Sequence, residues 1–537
     1  MAISVFMALA INKEVFYNLR TKKKEFIHLI VHQSAHKKIK MRSTHLFTAL
    51  TIAIATAILG ITEAHIFTNV IVITQSDLTI EICEEPDDSL YDFIAIVTCN
   101  STKPVELLPT NRMSLQKSNQ TRGTDWTFES CEFSKNFSMK SFMTSLGLNK
   151  TRSLRFKSTS SLPNPGNLKG LSVESLSLIA NNVSSLDQEL LYDMHLEDMD
   201  INDMPLNSLP EKFFENSKDL QSLDLLGTKL KSIKTGDFQT LSNLRDLLLY
   251  NNTIEEIEVG AFDKTTKLNI LSIYFEPLKT IHANIFDKLT NLIELEICST
   301  QLTEIPSQLL RSQKNSLVQL RMNNNEKLRG LPPNLLINSN NLVFIELEHN
   351  NFTSLPADIF ANVPSLKTLN LSVNKLKALP ENLFKNNREL QQLSVRENEL
   401  TSFPTKVFEN TNITRVYLDS NNITHLPFEF ISWIKNDVEL YLEGNQIRTL
   451  HFTWLEKYAK SIPENKKVRK ASIYLQDNPL DCNCDILLYM ERKLHKRVYD
   501  LVSFPDGLNC KNSSVSKNQT RRGTSMKDVR CSTRKQI

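Results

Sequence analysis

A pattern of leucines recurs about every 24 residues through the middle of this 537-residue chain. Its cleanest copy follows L-x-x-L-x-L-x-x-N-x-L, with the specified positions filled by Leu366, Leu369, Leu371, Asn374 and Leu376. The same frame begins at Val173, Leu191, Leu220, Leu244, Leu268, Leu292, Leu317, Leu342, Leu366, Leu390 and Ile413, and in two weaker copies at Asp437 and Lys470. Because one copy cannot bury its own leucines, the copies must stack and share a core.

The pattern is the signature of a leucine-rich repeat, in which each coil contributes one short strand. The alternating Leu-x-Leu directs apolar side chains inward and the intervening residues outward. The sequence therefore predicts an α/β leucine-rich repeat solenoid. We expect a curved horseshoe of about 13 coils with a parallel β-sheet on its concave face and cysteine-containing caps at both ends.

Two internal sets of residues are predicted to hold the coils together. The asparagine amide satisfies backbone groups where the chain leaves each strand, at Asn181, Asn252, Asn325, Asn350, Asn374, Asn398, Asn421, Asn445 and Asn478. Thr228 and Thr300 are expected to be weaker substitutes, and Glu276 and Met199 are expected to break this ladder. On the convex side, a core spine is predicted from Phe214, Phe238, Phe262, Phe286, Phe360 and Phe384.

Composition argues against catalysis and nucleic-acid binding. The formal net charge is only +3, and glycine is rare, at 12 residues. We find no glycine-rich phosphate loop, no metal-ligand cluster of His and Cys, and no nucleophile motif in the sequence. The sequence therefore predicts no enzyme, no catalytic residues, no cofactor, no bound metal and no nucleic-acid partner.

An uncharged segment near the N-terminus indicates entry into the secretory pathway. Residues 46–61 carry no charge, follow basic residues and precede a small residue, Ala64, which is typical of a signal peptide cleaved after that position. A retained signal anchor is the alternative, although the segment is short for a membrane span. The predicted divisions are a basic extension that a start at Met41 would omit (1–40), a signal peptide (41–64), an N-terminal cap (65–150), the repeats (151–477) and a cysteine-rich C-terminal cap (478–537).

Sequons and cysteines favour the same compartment. Asn-x-Ser/Thr sequons occur at Asn100, Asn119, Asn136, Asn149, Asn182, Asn251, Asn351, Asn370, Asn412, Asn422, Asn512 and Asn518. The spacing of Cys482, Cys484, Cys510 and Cys531 is poor for a compact zinc site, and a secreted context favours disulfides. The chain is predicted to be extracellular, or at the cell surface as part of a longer receptor.

The remaining cysteines lead to separate expectations. Cys99 and Cys131 are predicted to pair, which leaves Cys83 unpaired within the N-terminal cap. Cys298 follows an inward strand position, so its side chain is expected to point outward or to lie at the sheet edge. It is interpreted as a free, partly shielded thiol, with an intermolecular bridge as the alternative.

The stretch from Asn478 to Tyr489 (NPLDCNCDILLY) resembles the C-terminal cap of extracellular leucine-rich repeat proteins. That resemblance implies the disulfides Cys482–Cys510 and Cys484–Cys531. The Leu-Pro-x-x-x-Phe motifs beginning at Leu209, Leu355 and Leu379, and the cysteine-containing N-terminal block, resemble those of the Toll receptor ectodomain over roughly residues 78–535.

The resemblance implies a function in recognition. It implies the ligand-binding ectodomain of a Toll-like receptor in innate immune or developmental signalling, with a secreted cystine-knot cytokine of the Spätzle type as ligand and a homodimer formed on binding. The second repeat block, membrane span and signalling domain typical of that family do not occur in this sequence, which has no later segment that could span a membrane. The alternative is a secreted or matrix leucine-rich repeat protein that mediates adhesion or acts as a decoy.

Outward strand positions supply the candidate ligand contacts. One set is acidic, Glu294, Glu296, Glu346 and Glu348, interrupted by Arg321; the other is apolar and aromatic, Leu248, Tyr250, Ile270, Tyr274 and Phe344. Together they predict a ligand with basic and apolar surface. The alternative is that these charges only solvate the sheet. A sugar on the outward Asn370 is expected to direct a ligand toward the N-terminal coils.

Overall fold

The computed structural model describes residues 63–67, 70–75, 78–84, 93–99, 124–145, 151–159, 161–337, 339–481, 486, 489 and 492–508. The signal segment up to residue 62 and the four C-terminal cysteines lie outside the described residues, as do the side chain of Cys83 and the sequons at Asn100, Asn119, Asn149, Asn512 and Asn518. The predicted cleavage point after Ala64 falls within a described strand, Glu63–Phe67.

A short antiparallel segment precedes the repeats. Strands β1 (Glu63–Phe67), β2 (Val70–Gln75), β3 (Leu78–Glu84) and β4 (Phe93–Cys99) pair in that order as an antiparallel meander. Strand β5 (Thr124–Glu129) then pairs with β4 in parallel, and every later pairing in this sheet is parallel. A disulfide joins Cys99 to Cys131, which confirms the predicted pair.

Parallel strands then follow one another along the chain, one from each coil. In order they are β6 (Thr151–Lys157), β7 (Ser175–Ile179), β8 (Asp198–Asn202), β9 (Ser222–Leu226), β11 (Asp246–Tyr250), β13 (Ile270–Tyr274), β14 (Glu294–Cys298), β15 (Gln319–Arg321), β16 (Phe344–Glu346), β17 (Thr368–Asn370), β18 (Gln392–Ser394), β19 (Arg415–Tyr417), β20 (Val438–Tyr441), β21 (Ala471–Tyr474) and β22 (Val502–Ser503). Each pairs with the next in register. Strands β7 to β21 of this sheet correspond to the 13 predicted coils.

Helix is scarce among the described residues. A two-stranded pair, β10 (Ser232–Ile233) and β12 (Glu256–Ile257), lies outside the main sheet. The helices are α1 (Met139–Ser145), α2 (Pro165–Leu168), a 3-10 helix (Phe428–Ser432), α3 (Thr453–Ser461) and α4 (Lys496–Leu501). Most coils return through turns, and α3 accounts for the extra length of the coil between Asn445 and Asn478.

The asparagine ladder forms as predicted. The Asn374 Nδ2 group donates to the carbonyls of Leu347 (2.9 Å) and Leu371 (3.1 Å), and its Oδ1 accepts the N–H of Phe352 at 3.0 Å. One side chain therefore satisfies buried backbone groups of two successive coils. Thr228 and Thr300 take part through their own N–H groups, which donate to the next asparagine.

Glu276 does not break the ladder, contrary to expectation. Its buried carboxylate accepts the N–H of Asn252 (3.0 Å), the Asn252 amide (2.9 Å) and the N–H of Ile254 (3.0 Å). Burial raises the pKa of this carboxyl, while the three donors act to lower it. A carboxylate with several backbone donors can thus replace the asparagine.

The coil predicted to start at Leu191 instead starts at Leu196. Met199 lies at an inward strand position, opposite Leu176 on β7 and Leu223 on β9. The ladder position is therefore Met204, which is fully buried, and the interruption lies there rather than at Met199. The corrected start lies 24 residues before Leu220, which restores the period.

The convex spine is confirmed. All six predicted phenylalanines are buried, and their ring centroids lie 6.4, 6.2 and 6.1 Å apart from Phe214 through Phe286, and 5.9 Å apart between Phe360 and Phe384. Stacking of the coils therefore buries one continuous core.

Candidate functional site

The central strands of the concave face bring the predicted acidic residues together around one arginine. The Arg321 guanidinium pairs with the carboxylates of Glu294 and Glu296 on β14, and its Nε lies 2.9 Å from Glu346 on β16. The Arg321 side chain is only 17% exposed. Although burial acts to lower the Arg321 pKa, the hydrogen bond to Glu296 and the surrounding carboxylates raise it, so the guanidinium stays charged.

Arg321 therefore compensates the acidic group rather than interrupting it. Burial raises the pKa of Glu294, against the opposing effect of Arg321. The fourth predicted acid, Glu348, accepts a hydrogen bond from the Asn370 amide at 2.7 Å. These four side chains make contacts within the sheet, which leaves less unpaired negative charge here than the sequence indicated.

The predicted apolar set remains partly open to solvent. Ile270 is 37% exposed and Phe344 is 41% exposed, and both occupy outward strand positions. Tyr250 and Tyr274 lie on adjacent strands with ring centroids 6.3 Å apart. Phe275, which the sequence did not single out, packs edge-on against Tyr250 at 5.2 Å and is 51% exposed.

Phe275 stands in an unusual backbone position. Each coil turns off its strand through a residue of positive φ, and at Phe275 that angle is 55°. Glycine, aspartate, asparagine or serine fills the corresponding place in several other coils, whereas an aromatic side chain is unfavourable in this region. Phe275 thus presents a half-exposed aromatic ring beside Tyr250, which makes it a candidate ligand contact.

Cys298 has the outward strand register that was predicted and is a free thiol, but it is fully buried rather than partly shielded. It lies opposite Tyr274 in the sheet, and its Sγ accepts the N–H of Asn323 at 3.3 Å. Burial raises the pKa of this thiol to about 12, and burial also raises the pKa of Tyr274. A buried neutral thiol is unsuited to an intermolecular bridge.

A second acidic group lies on the more N-terminal concave strands. Asp200 on β8 lies directly opposite Asp224 on β9, and Asp198 and Asp246 lie on either side of Ser222, two residues earlier on the same face. Burial, reinforced by Asp200, Asp246 and Asp198, raises the pKa of Asp224 to about 6. Burial also raises the pKa values of Asp198 and Asp246.

Among the described residues, these four carboxylates lack the salt bridges of the central group, although Arg245 acts to lower the pKa of Asp246. Within the described part of the chain, none of the four forms an ion pair, and Asp200 accepts a hydrogen bond only from Ser177, at 2.8 Å. Like charges opposite each other in a sheet are destabilising. The misplaced coil start at Leu191 concealed Asp198 and Asp200, and a step of 24 residues back from Leu220 recovers them.

The described residues contain neither a metal-binding cluster nor a membrane-spanning helix. No group of three or more His, Cys, Asp or Glu side chains there is placed to hold a metal ion. No helix among the same residues is long and apolar enough to cross a membrane.

Comparison with known proteins agrees with this architecture. A profile described as Leucine rich repeat matches residues 340–400, and one described as BspA type Leucine rich repeat region matches residues 166–252 and 207–342. The fold is a leucine-rich repeat solenoid. No curated protein sequence matches the chain.

Solved leucine-rich repeat structures are similar to this solenoid. One is the glycosylated form of the Toll–Spätzle complex of Drosophila, with a TM-score of 0.65 and 21% identity, over 84% of this chain and 59% of that one. Another is the TLR13–ssRNA13 complex, with a TM-score of 0.51 and 19% identity, over 72% of this chain and 62% of that one. The solenoid thus spans about three fifths of each of those chains, and at these identities the likeness concerns the fold.

Proposed function

We propose that this solenoid is the ligand-recognition part of an extracellular Toll-like receptor. It binds a secreted protein, of the Spätzle-type cystine-knot class, on its concave face. The observation that carries this proposal is the coexistence on that face of exposed apolar side chains, such as Ile270 and Phe344, with uncompensated carboxylates at Asp200 and Asp224. Such a face suits a protein with apolar and basic surface.

The predicted contact residues have different roles in this proposal. Phe344, Ile270, Tyr250 and Tyr274 form apolar contacts with the ligand, together with Phe275. Glu294, Glu296, Arg321 and Glu346 form a rigid charged platform beneath the ligand, because their charges are already paired. Glu348 contacts Asn370 and marks the C-terminal limit of the ligand surface.

The test uses the secreted chain and a purified Spätzle-type cytokine. Replacing Ile270 and Phe344 together with serine is expected to weaken binding by tenfold or more, measured by biolayer interferometry. Val259→Ser is the matched control, since Val259 is 52% exposed and lies outside the concave strands. Failure of the unchanged chain to bind the cytokine saturably would refute this ligand class, and equal loss in the control would refute the surface.

A membrane span and signalling domain encoded downstream in the full transcript would support the receptor over the alternative of a secreted or matrix adhesion or decoy protein.

A further inference from the structure

A strip of uncharged residues on β17 and β18, here called the floor, divides the concave face. The outward residues of β17 and β18 are Thr368, Asn370, Gln392 and Ser394, and none carries a charge or a large apolar group. On one side of this floor stand Glu346 and the Arg321 cluster. On the other side stand Arg415 and the tyrosines of the C-terminal strands.

Three tyrosines form a stack that ends at this floor. Tyr417, Tyr441 and Tyr474 occupy equivalent positions on β19, β20 and β21, with ring centroids 4.7 and 4.6 Å apart and interplanar angles of 10° and 5°. Each ring therefore covers the face of the next. The neighbour of Tyr417 on its other side is Ser394, whose side chain is too short to cover an aromatic ring. One face of Tyr417 is thus directed across the floor.

A sequon lies on the far side of the same floor. Asn370, Leu371 and Ser372 form an Asn-x-Ser sequence, and Asn370 is separated from Tyr417 by the single strand β18. Two strand spacings place the two residues about 10 Å apart. The Asn370 Nδ2 group donates one hydrogen to Glu348, which leaves its second hydrogen for replacement by a sugar.

We propose that Asn370 carries an N-linked glycan whose first sugars lie on this floor and pack against the open face of Tyr417. A pyranose ring has an apolar C–H face, which suits an aromatic ring, and a rim of hydroxyls. Asn, Gln, Ser and Thr side chains supply both donors and acceptors to that rim. The floor offers a protein partner neither an apolar anchor nor a charge, whereas the sequon brings a sugar within reach.

The inference rests on the proposed extracellular location. It also adds a boundary to the proposed ligand-binding surface. A glycan held on β17 and β18 blocks the C-terminal half of the concave face. The ligand is then confined to the strands from β8 to β16, where the exposed apolar side chains and the uncompensated carboxylates lie. Ser372 is buried in the folded coil, but N-glycans are attached to the chain before it folds.

The experiment measures glycan occupancy and release on the chain secreted from eukaryotic cells. Glycopeptide mass spectrometry is expected to find sugar at Asn370. An amidase that cleaves N-glycans should release it from the native protein at least tenfold more slowly than the glycan at Asn182, which is exposed in the turn after β7. Tyr417→Leu should accelerate release at Asn370 several-fold.

Two control variants separate stacking from general shielding. Tyr417→Phe keeps the aromatic face and should keep the slow release. Tyr474→Leu alters the far end of the stack, and it should leave release at Asn370 unchanged. An unoccupied Asn370, or a release rate that Tyr417→Leu does not change, would overturn the inference. Sugar at Asn182 but not at Asn370 would refute this inference and leave the proposed extracellular location standing. Absence of sugar at both sites would refute the location as well.

Discussion

Two groups of carboxylates on the same sheet differ in whether their charges are paired within the protein. On β14 and β16, Glu294, Glu296 and Glu346 surround Arg321, and their charges are balanced within the protein. On β8 and β9, Asp200 and Asp224 lie opposite each other, and neither forms an ion pair with a described residue. The number of carboxylates on a face therefore does not indicate its readiness to bind a basic partner. What matters is whether the same strands also supply the cation.

The largest expected effect is that of removing the central cation. Arg321→Met should destabilise the protein because it leaves three carboxylates packed together without compensation. Breaking a fully buried ion pair costs about 3 to 5 kcal/mol, and we expect about 2 kcal/mol here because the Arg321 side chain keeps 17% exposure. Chemical denaturation measures the change. Arg311→Met, which breaks a more exposed pair with Asp287, is the control; an equal loss there would contradict the comparison.

A smaller effect of opposite sign is expected at the N-terminal group. Asp224→Asn removes a half-buried charge from beside Asp200 and Asp246, so it should stabilise the protein at pH 7.5. After allowance for solvent screening of these charges, we expect about 1 kcal/mol. Denaturant unfolding of the two proteins in parallel gives the difference. Destabilisation by this variant would mean that a partner stabilises the Asp224 carboxylate in the folded protein, which would contradict the prediction.

The smallest effect concerns the pH dependence of that difference. The folded-state pKa of Asp224 is raised to about 6 from the ordinary 3.8, so the folded protein binds this proton more tightly than the unfolded chain does. The unfavourable contribution of Asp224 is therefore fully present above pH 6 and declines as the pH falls toward 4. Unfolding at pH 7.5, 6 and 4.5 should show the advantage of Asp224→Asn shrinking stepwise. A constant advantage would contradict the raised pKa.

The sequence was sufficient to predict the coils, because coils that stack on one another need apolar residues at a fixed period. Leu366, Leu369 and Leu371 are buried as predicted, and Asn374 bonds to the backbone of neighbouring coils. The predicted coil start at Leu191 was wrong because Leu191, Met194 and Leu196 have the same L-x-x-L-x-L spacing as the true strand residues. Leu191 and Met194 are buried outside the strand, since the returning part of a coil also needs apolar side chains.

The candidate site was less predictable, because an outward strand position does not determine whether neighbouring side chains cover the residue. Cys298 has the outward register, yet its neighbours cover it completely. The pairing of Arg321 could have been foreseen, since it lies 25 residues after Glu296 and 25 before Glu346, which is one coil in each direction. Phe275 could not, because its exposure depends on the turn conformation that follows β13.

The central claim is that the N-terminal carboxylates, and not the central ones, are available to a basic ligand. The most direct measurement is the dissociation constant of the purified cystine-knot cytokine for two charge-neutralised variants. Asp200→Asn with Asp224→Asn should weaken binding about tenfold, equivalent to about 1.4 kcal/mol. Glu294→Gln with Glu346→Gln removes the same charge from the central group and should change binding less than twofold. The reverse order of effects would contradict the account.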